Sequence, residues 1–240
     1  MTGWQVQVPH ECFECHTDAE RFVAVGLDGR SSWGLGQEAQ ADIWAKLHAD
    51  GGWRHWENVE NACAELEQMG VASAQEVFKR HKDTDGPSFD GTGISAVVVI
   101  GTQKTLDIAL LGFYEACLIR GRTSPRFAKP TPHPHIQEKI DASQAQGPNV
   151  ATALHWVCPN PLFADLEHAR PLEICARWSV QLGDEVIIAN RHLFLGLDIA
   201  PPHLIHIQDT TLDWAPWLRQ QSRYGTIRKP GRYLHLKLDP

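Results

Sequence analysis

Two cysteines near the start of the chain have the spacing of a metal or redox site. The stretch "PHECFECHTD" holds Cys12 and Cys15, with His10 before the pair and His16 directly after it. A C-x-x-C-H sequence fits covalent haem attachment, a thioredoxin-like redox pair or half of a structural zinc site. The pair lies between "WQVQVP" and "RFVAVGL", which alternate apolar and polar residues as strands do. This placement favours a zinc-ribbon knuckle, because a redox pair normally precedes a helix.

A tetrahedral zinc site needs two further ligands, and a distant segment offers them. "LHWVCPNP" contains His155 and Cys158, followed by a turn-forming Pro-Asn-Pro sequence that could serve as a second knuckle. A regular ribbon would have a cysteine at position 161, where this chain has proline. With zinc as the cofactor, the predicted ligands are Cys12, Cys15, His155 and Cys158.

Histidines offer a second route to metal chemistry. The chain has 13 of them, including the pairs in "TPHPHIQ" and "PPHLIHIQD". Imidazoles and a carboxylate can hold a metal ion that generates hydroxide for hydrolysis. The G-x-S-x-G and H-E-x-x-H signatures of common hydrolases are absent from the sequence. A metal-dependent hydrolase is therefore an alternative hypothesis, with a cluster of His133, His135, His203 and His206.

Charge is distributed unevenly along the chain, whose formal net charge is −7. Residues 1–118 carry 18 acids against 8 Lys and Arg, whereas residues 119–240 carry 11 acids against 14 bases. Segment 218–238 contains six Lys and Arg and no acid, and tyrosines are interleaved with them. Basic side chains neutralise phosphates, and aromatic rings stack on unpaired bases. We predict a nucleic-acid-binding surface made of Arg219, Arg223, Tyr224, Arg228, Lys229, Arg232 and Tyr233.

The pattern of elements predicts an α+β fold. Helices are expected mainly in residues 37–119, at 37–50, 57–69, 73–82 and 105–119, with antiparallel strands at the N-terminus and in the C-terminal 90 residues. We expect a single domain over 1–240, and the turn-rich stretch 83–93 is the best place for a division into 1–82 and 94–240. No apolar run reaches the roughly 20 residues that span a bilayer. The chain start also lacks a signal-peptide pattern, so a cytoplasmic protein is expected.

These observations support a binding protein more than an enzyme. Our main hypothesis is a non-enzymatic, zinc-stabilised accessory subunit that binds nucleic acid or a nucleoprotein complex. The metal-dependent hydrolase is the first alternative. An acidic protein-interaction module, with its contacts in the helices of residues 37–82, is the second.

Overall fold

The computed structural model describes eight stretches of the 240-residue chain. They are residues 3–7, 12–30, 35–81, 93–112, 114–121, 126–131, 172–190 and 233–239. Ten strands lie in these stretches: β1 (Trp4–Gln7), β2 (Phe13–Thr17), β3 (Phe22–Arg30), β4 (Gly93–Gly101), β5 (Thr105–Leu111), β6 (Tyr114–Ile119), β7 (Arg126–Ala128), β8 (Glu173–Ser179), β9 (Glu185–Asn190) and β10 (Tyr233–Leu238). The described helices are α1 (Leu35–Asp50), a short 3-10 turn (Gly52–His55) and α2 (Val59–His81).

The strands form two antiparallel five-stranded sheets that pack face to face. Sheet I has the strand order β1-β10-β9-β6-β7, and sheet II has the order β2-β3-β4-β5-β8. The longest pairing joins β3 to β4 over nine positions, from Phe22 opposite Gly101 to Arg30 opposite Gly93. The predicted α+β class is confirmed.

Each face of sheet II covers a separate apolar core. On β3, Val23, Val25 and Leu27 point toward α1 and α2, where they pack with residues such as Ile43 and Leu66. The alternate residues Phe22 and Ala24 point toward sheet I. Because successive side chains of a strand point to opposite faces, this alternation fixes which residues line the interior between the sheets.

The helical region differs from the prediction at Gly70. Residues 57–69 and 73–82 were expected to form two helices, but α2 runs unbroken from Val59 to His81. A single glycine inside a helix costs about 1 kcal/mol relative to alanine. Burial of Leu66, Ala74 and Val77 on both sides of Gly70 outweighs that cost. No helix in the described part of the chain is long and apolar enough to cross a membrane.

Residues 105–119 were predicted to form a helix, and this prediction is wrong. They form β5 and β6, with Gly112 between them at a φ of 75°. β5 pairs within sheet II and β6 within sheet I, so the chain passes from one sheet to the other at this point. Every residue of β6 is buried. A strand buried on both faces has no polar alternation to distinguish it from a helix.

A Gly-Asp sequence such as Gly183-Asp184 is typical of a hairpin turn, but the turn that it forms here does not make a hairpin. Gly183 has a φ of 86°, which suits glycine. The two strands that it joins, β8 and β9, lie in different sheets. The turn is thus a second connection between the two layers.

Candidate active site

The cysteine pair does not form the predicted zinc-ribbon knuckle. Cys12 immediately precedes β2, and Cys15 lies within it opposite Ala24 of β3. The pair therefore lies along the start of an extended strand and does not form a tight turn between β1 and β3. Both side chains pack against the core between the sheets. The proposed completing ligands, His155 and Cys158, lie outside the described residues, so this four-residue set stays a prediction.

The environment of Cys15 favours the neutral thiol. Burial, with a smaller contribution from the nearby charge of Glu14, raises the pKa of Cys15 to about 12. The local chemistry at Cys15 is that of a buried apolar side chain.

Most of the other predicted site residues lie outside the described stretches. This applies to Arg219, Arg223, Tyr224, Arg228, Lys229 and Arg232, and to His133, His135, His203 and His206. Tyr233 is described, as the first residue of β10, and only 5% of its surface is exposed. Its ring is thus not presented to solvent as a stacking platform.

A buried carboxylate marks one end of the sandwich. Asp28 lies near the end of β3 and is 1% exposed. By strand alternation it shares the face of Phe22 and Ala24, which is turned toward sheet I. Burying a carboxylate is costly unless hydrogen-bond donors or a cation compensate its charge. Asp28 is a carboxylate, a hard oxygen donor, and its position on the face turned toward sheet I suits a cation site between the sheets. We call this end of the sandwich the Asp28 end.

Ser95 on the neighbouring strand extends the polar character of this end. It lies directly opposite Asp28 in the β3–β4 ladder and is 2% exposed. Gly112, just after β5, leaves space for it: a Cβ there would lie 2.4 Å from Ser95 Oγ. Asp28, Ser95 and Gly112 thus lie side by side, on β3, on β4 and directly after β5.

Aromatic side chains close the interior next to this row. Phe13 of β2 lies over Gly26 of β3, where a Cβ would come within 2.5 Å of its ring. The same ring meets Tyr114 of sheet I edge to face, with 5.5 Å between the ring centroids. Phe13 lies opposite Gly26, two residues before Asp28 on β3, so this contact joins the two sheets just inside Asp28. The polar row therefore lies at the rim of an apolar interior.

Helix α1 packs directly against the strand end that bears Asp28. A Cβ on Gly29 would lie 2.0 Å from the carbonyl oxygen of Gly36, so only glycine allows this approach. From the next turn of α1, Gln40 reaches back to β3. Its Oε1 accepts a hydrogen bond from the Gly29 amide at 2.8 Å, and its Nε2 donates to the Leu27 carbonyl at 3.1 Å.

Several strand termini gather at the Asp28 end. β3, β5, β7 and β9 end there, and β4, β6, β8 and β10 begin there, as the pairing registers show. The segments that carry the predicted histidines follow β7 and β9. Thr131, beyond β7, is held at its backbone amide and hydroxyl by the Glu173 carboxylate, at 2.7 Å each.

Comparison with known proteins identifies the architecture. No protein-family model matches the sequence, and no curated protein matches it. Among solved structures, the Mycobacterium tuberculosis serine/threonine phosphatase PstP/Ppp is similar over 99% of this chain and 98% of its own, with a TM-score of 0.62 and 14% identity. The PP2C phosphatase domain of SpoIIE from Bacillus subtilis, with a fragment of its regulatory domain, gives a TM-score of 0.55 at 11% identity. That match covers 98% of this chain and 58% of the other. The chain has the PP2C phosphatase fold.

This fold overturns the main functional prediction. A non-enzymatic nucleic-acid-binding subunit is contradicted, since the solved structures that share the fold are phosphatases. The prediction relied on the basic segment 218–238 being an exposed surface. The last residues of that segment form a core strand, β10. Leu234, Leu236 and Leu238 of β10 are all buried. Local charge reports on possible partners and carries no information about the fold.

The prediction of zinc is also wrong. The catalytic domain of PstP has been solved in complex with two manganese ions, and it matches with a TM-score of 0.52 and 12% identity over 97% of this chain and 96% of its own. Carboxylate oxygens suit Mn²⁺ and Mg²⁺, whereas thiolates favour zinc. The side chain of Asp28 is an oxygen donor of this kind. The described ranges contain no group of three or more His, Cys, Asp or Glu that could hold a metal ion.

Sequence reasoning missed Asp28, although a signal was available. The alternating segment "RFVAVGL" was recognised as a strand, and its last residue, Leu27, directly precedes Asp28 and Gly29. An acidic residue in phase with the buried face, followed by glycine, is unusual at the end of a core strand.

Proposed function

We propose that this protein is a metal-dependent phosphatase acting on phosphorylated serine or threonine side chains, with Asp28 as a ligand of Mn²⁺ or Mg²⁺. The observation that carries the proposal is the buried Asp28 carboxylate at the rim of the interface between the sheets of a PP2C fold. The metal-dependent hydrolase was the alternative hypothesis from the sequence, and the similarity to phosphatases favours it.

The chemistry of the site supports this choice. A bound divalent ion supplies an activated water and neutralises phosphoryl charge. Asp28 would offer it a hard oxygen ligand from a rigid central strand. Ser95 lies beside Asp28 on β4, where directly opposed side chains have Cβ atoms about 5 Å apart. Its hydroxyl is suited to orient a neighbouring ligand.

The predicted histidines keep a place in this proposal. The segments with His133, His135, His203 and His206 continue from β7 and β9, both of which end at the Asp28 end. We propose that residues of these segments complete the metal site. We also keep the predicted cytoplasmic location, since six cysteines in 240 residues are too few for a disulfide scaffold.

The test is hydrolysis of p-nitrophenyl phosphate and of a phosphothreonine peptide with Mn²⁺, Mg²⁺, Zn²⁺ or EDTA. We expect turnover with Mn²⁺ or Mg²⁺ that EDTA abolishes. Asp28→Asn should reduce kcat/KM by at least about 100-fold, because it removes a charged ligand while keeping the side-chain shape.

Asp18→Asn is the matched control. Asp18 lies in the β2–β3 turn at the opposite end of the sandwich, where its Oδ1 accepts hydrogen bonds from the Glu20 and Arg21 amides. Asparagine retains that acceptor, so activity should be unchanged. Alanine variants of the four histidines test the second part of the proposal. Absence of turnover with every metal, or full activity of Asp28→Asn, would overturn the phosphatase proposal.

A further inference from the structure

We propose that Gln40 is a positioning residue that sets the orientation of the Asp28 carboxylate for metal binding. This inference rests on the proposed function, because it concerns the same site. The geometry that points to it is the pair of hydrogen bonds from one side-chain amide to both backbone units that flank Asp28.

The β3 ladder explains why an external clamp is needed. On the side facing β2, pairing ends with Phe13 opposite Gly26, after which the Leu27 amide donates to the Cys12 carbonyl at 2.9 Å. The next two backbone groups on that side are the Leu27 carbonyl and the Gly29 amide. Part-buried backbone groups of this kind require partners. Gln40 supplies both and thus continues the ladder beyond the end of β2.

These two groups belong to the peptide units on either side of the Asp28 Cα atom. The orientations of these two peptide units define φ and ψ of Asp28, and those angles fix the direction of its Cβ. On the opposite side, Asp28 pairs with Ser95 of β4. The backbone around Asp28 is therefore held by β4 on one side and by the Gln40 side chain on the other. Gln40 acts through the backbone and does not touch the reacting atoms.

The contact is also tied to the start of α1. Gly29 and Gly36 approach so closely that no side chain fits between them, and Gln40 lies one helical turn after Gly36. The loop 31–34 that connects β3 to α1 lies outside the described residues. Gln40 thus fixes the register between the helix and the strand end that carries the ligand. Mutating a residue that orients a metal ligand without touching the metal lowers metal affinity by about 10–100-fold.

The test is Mn²⁺ binding by isothermal titration calorimetry, which does not depend on turnover. Gln40→Met keeps the length and helix propensity of the side chain and removes both hydrogen bonds. We expect the Kd for Mn²⁺ to rise at least about tenfold. The matched control is Gln37→Met, the same change at an exposed position of the same helix, with an expected Kd equal to that of the parent.

A second readout separates positioning from general loss of stability. Amide hydrogen exchange of Gly29 should accelerate in Gln40→Met and remain unchanged in Gln37→Met. Arg120→Met, which removes an ion pair at the opposite end, serves as a destabilised reference that should keep the parent Kd. If Gln40→Met does not fold, Gln40→Glu decides. It keeps the acceptor for Gly29 and loses the donor to Leu27, and should also weaken Mn²⁺ binding.

The outcomes distinguish the two proposals. Binding by the parent, lost in Asp28→Asn and weakened in Gln40→Met, supports both. Parent-like affinity in the folded Gln40 variants overturns the positioning role and leaves the phosphatase proposal standing. A parent protein that binds no Mn²⁺ overturns the proposed metal site, and the role of Gln40 with it.

Discussion

The buried thiols show how strongly the interior determines the chemistry of a single residue. Cys117 of β6 is 1% exposed, and burial raises its pKa from 9.0 to about 12. Cys15 on β2 is raised to a similar value by burial and by Glu14. At neutral pH both are neutral, and each behaves as a small apolar side chain.

The raised pKa values of these thiols predict that the protein loses stability at alkaline pH. Because the folded pKa lies above the unfolded value, their contribution is complete below pH 9 and is lost as the pH rises toward 12. The free energy of unfolding in urea should therefore fall between about pH 9 and about pH 12. The Cys117→Ala variant should show a shallower decrease over the same interval. If the free energy of unfolding fell equally steeply with pH in the parent and in Cys117→Ala, the predicted contribution of the Cys117 thiol would be contradicted.

At the scale of elements, the end of the sandwich opposite Asp28 is held by an ion pair between a part-exposed arginine and a buried aspartate. Arg120, just after β6, donates from Nε and Nη2 to the two carboxylate oxygens of Asp184, at 2.9 and 2.7 Å. Asp184 is 1% exposed and also accepts a hydrogen bond from the Gln181 amide. The pair fixes the turn between β8 and β9, which joins the two sheets.

Removing one partner of this pair should destabilise the fold without affecting the candidate site. Arg120→Met leaves the Asp184 carboxylate buried without its cation, and we expect a loss of about 3 kcal/mol in the free energy of unfolding. Urea denaturation measures this loss, and Mn²⁺ titration of the folded variant checks the site. A small change in stability would contradict the predicted contribution of the ion pair. A large change in Mn²⁺ affinity would show that the two ends of the sandwich are not independent.

The elements also show what the sequence could reveal. The predicted strands that became β1, β3, β8, β9 and β10 were recognisable because the alternation of apolar and polar residues is a property of the local sequence. The prediction failed at "TLDIALLGFYEACLI", where β5 and β6 are both buried and the apolar run carries no period. Which strands pair depends on contacts distant in sequence, such as β1 with β10, and no local pattern encodes them.

The candidate site was harder to predict than the fold class for the same reason. Cys12 and Cys15 are close in sequence and thus conspicuous, but their strand directs them into the core. Asp28 and Gln40 are separated by 12 positions in a sequence without a recognised motif. Their relation exists only after α1 has folded back onto β3.

At the scale of the whole molecule, the sheets combine strands from both ends of the described chain. β3 needs β4 as its partner, and β1 needs β10. We therefore propose that the chain folds as one domain and that the possible division at 83–93 is not a domain boundary.

A fragment of residues 1–82 should consequently fail to fold alone. It would expose the apolar faces of β3 and leave β1 without any partner strand. Circular dichroism and a proton–nitrogen NMR correlation spectrum of the fragment would report this directly. A dispersed, cooperative spectrum would contradict the single-domain proposal, and the intact chain is the control.

The position of β10 also has a consequence for synthesis. This strand lies between β1 and β9, yet it is the last described strand to leave the ribosome. All five strands of sheet II have been translated once Ser179 is added, whereas sheet I cannot close until Leu238 has emerged. During that interval Phe22, Val97 and Ile108 have no complete opposing layer. Nascent chains of this length therefore expose one apolar face of sheet II, and the speed of translation between β9 and β10 determines how long that face stays exposed.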